Sequence, residues 1–150
     1  MYIFDTDHLS ILQRQGNSAQ PLLHRLQLNT QPLAKPPGTG IAATVISYEE
    51  QTRGWMKYFA QAKNLEQQVI AYQRLQQHAI NYCSITLLPF DLRSSEQYQQ
   101  LRKQYPRLNT MDLKIAAIVL VHDATLLTRN QKDFSQIQGL KIEDWSAPLE

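Results

Sequence analysis

Short apolar bursts alternate along this chain with longer stretches whose apolar residues recur every three or four positions. Met1 to Phe4 is apolar and breaks at once into Asp5-Thr6-Asp7, after which Leu9, Ile11 and Leu12 follow at helical spacing. That pattern reads as strand, sharp turn and helix, with Asp7 capping the helix. Gly16, Asn17 and Ser18 mark a turn, and Pro21 to Leu28 carries Leu22, Leu23, Leu26 and Leu28 as a short amphipathic helix. From Asn29 to Gly40 the chain reads as loop, because Pro32, Pro36, Pro37, Gly38 and Gly40 oppose regular structure.

Ile41 to Ile46 is a second β-branched run, and Ser47-Tyr48-Glu49-Glu50 opens a helix. Trp55 to Tyr82 reads as a helical hairpin bent near Ala62–Asn64. Trp55, Tyr58, Phe59, Leu65, Val69, Ile70, Tyr72, Leu75 and Ile80 lie on one broad face, and glutamines fill much of the other. Ile85 to Phe90 is a third strand. Ser94 or Ser95 caps a helix to about Tyr105, and Asn109 or Thr110 starts another through Leu120. Thr125 to Thr128 and Leu140 to Ile142 complete the strands, the last ending near Trp145.

Strands alternating with helices predict an α/β fold, a three-layer sandwich around a mostly parallel sheet. A length of 150 residues suits a single domain, 1–150, with a sizeable core. No apolar run is long enough to span a bilayer, and no secretory signal is expected. The lone Cys83 excludes an internal disulfide, fits a cytoplasmic, reducing setting, and reads as a buried packing residue. The net charge of +2 conceals an asymmetry. If several of the 13 acids gather in one site, the remaining surface is more basic and suits a polyanionic partner.

Four acids stand at element ends. Asp5 ends the first strand, Glu50 and Asp112 fall in first helical turns, and Asp133 follows the fourth strand. In a parallel sheet all four reach one rim, where ligands bind in open α/β folds. Converging carboxylates are the donor set for a hard divalent cation. Such an ion offsets their repulsion, and a water it activates can attack phosphorus in line. Each acid also has a structural reading. Asp7 is a good N-cap, Ser47 with Glu50 forms a capping box, Asp112 suits a helix dipole, and Asp133 fits a surface loop. It is the coincidence of four at one rim that favours a metal site.

Other groups carry less. His8, His24, His78 and His122 lack zinc-site spacing, and His122 at a helix end is expected to pair with the last carbonyls. Ser10 and Ser47 have no nucleophile-elbow context, and no Gly-rich phosphate loop is present. Arg53, Lys114, Arg129 and Lys132 flank the acids and are candidates to hold phosphates, or simply solvated surface residues.

Asp5-Thr6-Asp7 after a terminal strand, Glu50 four residues before Gly54, Met111 to Ala117, Leu127-Thr128-Arg129-Asn130 with Asp133-Phe134, and Gly139 to Trp145 together resemble the PIN-domain toxins of the VapC type. The match runs in order over nearly the whole chain. It implies a PIN-like α/β/α sandwich and a Mg²⁺- or Mn²⁺-dependent endoribonuclease, commonly dimeric and restrained by a cognate antitoxin. By position, Asp5 and Asp112 would bind metal, supported by Glu50 and Asp133. Asp7 stands where many members have Asn and is a possible further ligand, and Asn130 matches a polar position near the site. The loop from Gln31 to Gly40 looks longer than usual, and Gln51 replaces a commonly apolar residue.

Two alternatives remain. A phosphohydrolase of the haloacid-dehalogenase type would use Asp5 as nucleophile, although Leu9 replaces the expected Thr or Val and a later paired acid is absent. A PIN-like module without catalysis would bind RNA or a partner only.

Overall fold

The computed structural model describes residues 1–14, 19–29 and 42–147, with the backbone alone over 26–29. The expected turn at Gly16–Ser18, most of the Asn29–Gly40 loop and Ile41 lie outside the described residues. Five short strands form one sheet: β1 (Tyr2–Phe4), β2 (Ala42–Thr44), β3 (Thr86–Leu88), β4 (Thr125–Leu127) and β5 (Lys141–Glu143). Their order is β3-β2-β1-β4-β5, and every neighbouring pair is parallel. The first strand is therefore the middle one, with Phe4 in register with Ala43 on one side and Leu127 on the other.

Successive side chains on a strand point to opposite faces, and here both faces are buried. Ile3, Ala42 and Leu126 belong to the core formed with α5 (Leu92–Gln104) and α6 (Thr110–Val121). Phe4, Ala43 and Leu127 enter a second core with Leu9 of α1 (Thr6–Arg14), Leu22 of α2 (Gln20–Asn29) and Trp145. This is the expected three-layer α/β/α arrangement. Helix α6 shows no apolar stripe because it is buried on all sides, with Leu113 and every residue from Ile115 to Val119 enclosed.

The hairpin is formed by α3 (Val45–Ala60) and α4 (Leu65–Tyr82), with Asn64 capping the second helix. Among the described residues much of its apolar face is left uncovered. Leu65 is 78% exposed, and Val69, Ile70, Tyr72 and Ile80 are also exposed. Periodicity marks a face that water disfavours but does not supply the element that covers it.

Several ends differ from expectation because competing caps were close together. Asp91, not Ser94 or Ser95, caps α5, its side chain accepting from the Ser94 amide at 2.9 Å. Thr44, not Ser47, caps α3 by accepting from the Ser47 amide at 3.1 Å, so Glu50 is left free of any capping box. Asp7 lies inside α1 instead of capping it, since the Asp5 carbonyl accepts from the Leu9 amide at 3.0 Å. Cys83 is exposed, not buried, and its thiol meets the Ala79 carbonyl across one helical turn. A one-turn helix, α7 (Gln131–Phe134), occupies what read as loop. His122 does pair with the Ile118 carbonyl, at 2.9 Å.

Thr44 is fully buried where β2 passes into α3, and it fixes the helix that carries Glu50. Thr44→Ala should cost about 1–2 kcal/mol, the range for a lost N-cap hydroxyl. Urea denaturation should show this as a lower midpoint with an unchanged slope.

Candidate functional site at the carboxyl edge of the sheet

Parallel strands deliver their carboxyl ends to one edge, and β1 delivers Asp5 there from the middle of the sheet. Its side chain is only 8% exposed. One carboxylate oxygen accepts from the Thr6 amide at 2.8 Å, and the other from the Thr128 hydroxyl at 2.8 Å. Burial pushes its pKa up, the Thr128 and Thr6 hydrogen bonds oppose this, and neighbouring Asp7 adds to the rise.

The other acids lie within its field. Glu50, in the second turn of α3, is pushed up to about 7 by burial and then by the charges of Asp5 and Asp112. Asp112, in the first turn of α6, is pushed up to about 6 by burial and then by Asp5 and Asp133. Asp133 sits in α7, where Asn130 holds it from both ends: its amide meets the Asn130 side-chain oxygen at 3.4 Å, and its carboxylate accepts from the Asn130 side-chain nitrogen at 3.1 Å. The four acids are thus linked by mutual repulsion across the rim.

Asp7 has a different set of partners. One of its oxygens accepts from the His8 amide at 2.7 Å and lies 3.1 Å from His8 Nδ1, while the other accepts from the Arg129 amide at 3.2 Å. Burial would raise its pKa, but the His8 contacts and the Arg129 amide prevail and lower it. His8 itself is fully buried, and its Nε2 accepts from the Trp145 amide at 3.1 Å, which leaves Nδ1 to carry the proton toward Asp7. Asp7 therefore fastens the turn after β1 to the turn after β4.

The basic candidates are spread out. Arg53 is paired on the helix surface with Glu49 at 2.6 Å. Lys114 lies 5.8 Å from the centres of the Phe90 and Tyr98 rings. Arg129 and Lys132 are exposed beside the Asp7 and Asp133 turns. Sequence reasoning overlooked Thr6, Thr128 and His8 as site residues. Thr6 donates to Glu50 at 3.4 Å, and Thr128 receives the Asn130 amide at 3.0 Å while holding Asp5. Only Thr6 carried a signal, as the polar residue between two acids at a strand end; Thr128 and His8 carried none.

Oxygen donors without sulfur or imidazole suit a hard cation. Among the described residues, no three His, Cys, Asp or Glu side chains converge enough to chelate an ion as they stand. A cation that keeps part of its water, as Mg²⁺ does with one or two carboxylates, fits this looser set.

Residues 39–140 match the PIN domain. The chain belongs to the PIN-domain family. One similar protein is Ribonuclease VapC1 of Rickettsia felis, 41% identical over 61 residues; the aligned stretch is 38% of this chain and 46% of that protein. VapBC-1 of nontypeable Haemophilus influenzae shares the fold with a TM-score of 0.72 and 23% identity, covering 97% of this chain and 98% of that one. VapBC2 of R. felis, solved on a promoter DNA fragment, gives 0.71 and 22%, covering 96% and 98%. No described helix is long and apolar enough to cross a membrane.

The repulsion at this PIN-domain rim has a measurable sign. In the unfolded chain both carboxyls ionise near pH 4, whereas in the fold Glu50 keeps its proton to about 7 and Asp112 to about 6. Through that window the folded state binds more protons, so stability without divalent cation falls as pH rises from about 4 to about 7. Glu50→Gln should flatten the slope. At pH 8 it should melt about 2–4 °C above the parent, equivalent to about 1 kcal/mol once solvent screening of a half-exposed group is allowed for.

Proposed function

We propose that this chain is a Mg²⁺- or Mn²⁺-dependent endoribonuclease, the toxin of a VapC-type pair, held in check by a cognate antitoxin and active as a homodimer. The observation that carries this reading is the coupled group Asp5, Glu50, Asp112 and Asp133 around a carboxylate buried at the end of the central strand. Folding places like charges together at a cost, and a divalent cation with an RNA backbone beside it explains why they are there. The PIN-domain family, the likeness to Ribonuclease VapC1 and the fold shared with VapBC complexes support the same assignment.

Asp5 and Asp112 would hold the ion, with Glu50 and Asp133 completing its surroundings. When bound, it would offset their charge, lower the pKa of a coordinated water and stabilise charge building on phosphorus. Thr128 and Thr6 fix the Asp5 carboxylate before substrate arrives, so little reorganisation is needed during reaction. Glu50 is held toward the same place by Thr6, and Asp133 by Asn130. Asp7, with its oxygens engaged by His8 and Arg129, serves to align the two turns. Arg129 and Lys132, exposed at the rim, are placed to meet phosphates, which position a strand without reading its sequence. Arg53 and Lys114 are the weaker candidates because each already has partners.

Purified protein should cleave single-stranded RNA with Mg²⁺ or Mn²⁺ and lose this activity in excess chelator. Asp5→Asn and Asp112→Asn should each reduce the rate by more than about 100-fold while retaining the circular dichroism of the parent. Thr128→Val should fall in the range of about 10–100-fold usual for a group that orients a ligand. Equal cleavage by Asp5→Asn would overturn the assignment. Hydrolysis of a small phosphate ester with RNA untouched would favour the phosphohydrolase with Asp5 as nucleophile.

A further inference from the structure

A groove of about 680 Å³ opens between α1 and the α3–α4 hairpin. It reaches the acid site through Thr6, which lines the groove and donates to Glu50. That volume is in the range of ligand pockets. Among the described residues no acid lines it, whereas Arg14 and Arg74 both do and neither is engaged in an ion pair. Its character is thus opposite to that of the rim it adjoins.

Two buried polar atoms of groove-lining residues lack partners among the described residues. Gln13 receives the Gln51 side-chain amide on its oxygen at 3.2 Å, so its buried Nε2 donor is left unmatched. His78 is 4% exposed, lies 2.9 Å from the Thr52 hydroxyl through Nε2, and has no partner at Nδ1. Burial lowers its pKa and keeps the ring neutral. Unmatched buried polar groups are costly and uncommon in folded proteins. The rest of the lining is mostly polar, including Ser10, Gln77 and Asn81, with one aromatic stretch where Trp55 meets Tyr58 edge to face at 5.9 Å.

We infer that this groove is a nucleotide subsite for single-stranded RNA, holding a residue of the strand next to the one whose phosphate lies at the acids. Each component matches a part of such a ligand. The arginines suit phosphate, an aromatic side chain offers a stacking partner for a base, and the polar side chains lining the groove, such as Ser10, Gln77 and Asn81, suit base-edge or ribose oxygens and nitrogens. The inference rests on the ribonuclease reading for its substrate but concerns binding, so the two are separable. A protein segment with acidic side chains is the other occupant this charge pattern admits, and the experiment below distinguishes it.

The test uses the full chain in excess chelator with a short fluorescent single-stranded RNA, and follows both RNA anisotropy and intrinsic tryptophan emission. Anisotropy should saturate while tryptophan emission is quenched in parallel, and the quench should be absent in Trp55→Phe. Arg74→Glu should weaken binding by about 5-fold or more. With metal present it should raise KM by a similar factor at nearly constant kcat, unlike Asp112→Asn, which loses kcat. Gln13→Ala should alter preference among homopolymeric oligonucleotides more than overall affinity.

RNA binding that leaves Trp55 emission unchanged and is insensitive to Arg74→Glu would overturn the subsite while leaving the nuclease assignment intact. Quenching of Trp55 by RNA in chelator, with no cleavage once Mg²⁺ or Mn²⁺ is restored, would uphold the subsite and count against the nuclease. Quenching by a purified cognate partner protein but not by RNA would overturn the subsite in favour of a protein segment.

Discussion

The central constraint is the ionisation of Asp5. A carboxylate this enclosed is disfavoured by loss of water, and it is held by a backbone amide on one oxygen and the Thr128 hydroxyl on the other. Both donors depend on the parallel sheet. Thr6 follows directly from β1, and Thr128 follows β4, whose register brings Leu127 level with Phe4. The sheet is therefore the device that brings two segments 123 residues apart to the same carboxylate. Glu50 and Asp112 then face an anion whose position is already fixed.

Beyond this central group lies a ring of contacts that keeps the edge turns together. Asp7 joins the turn after β1 to the Arg129 amide, and His8 carries the connection onward to Trp145. Trp145 in turn packs with Tyr2 and Phe4 in the second core. The buried imidazole thus connects site alignment to core packing. The same edge changes character within a short distance, from the acidic rim through Thr6 to a groove bearing arginines.

Much of this was legible in the sequence, and the reasons differ by residue. Most strands carry a short apolar run, and an acid just after such a run or near the start of a helix marks the sheet edge, so Asp5, Glu50, Asp112 and Asp133 could be placed before any contact was known. Thr128 and His8 could not, because a polar residue buried by long-range hydrogen bonds leaves no periodic trace. Caps were misplaced at Thr44 and Asp91, where two good capping residues lie three apart and only tertiary packing chooses between them. Cys83 was read as buried from its residue type, but the end of α4 lies at the surface. The exposed face of the hairpin shows the same limit: amphipathicity identifies an apolar stripe without specifying its cover.

The placement of β1 in the middle of the sheet bears on how the fold arises during synthesis. During synthesis β1 must wait for β2 and then for β4 before both its edges are paired, so its contacts close large loops and form late. Until Thr128 emerges, Asp5 lacks one of its two stabilising donors and the acids have no common frame. A nascent chain that stops short of β4 thus carries Asp5, Glu50 and Asp112 but none of the assembled pocket.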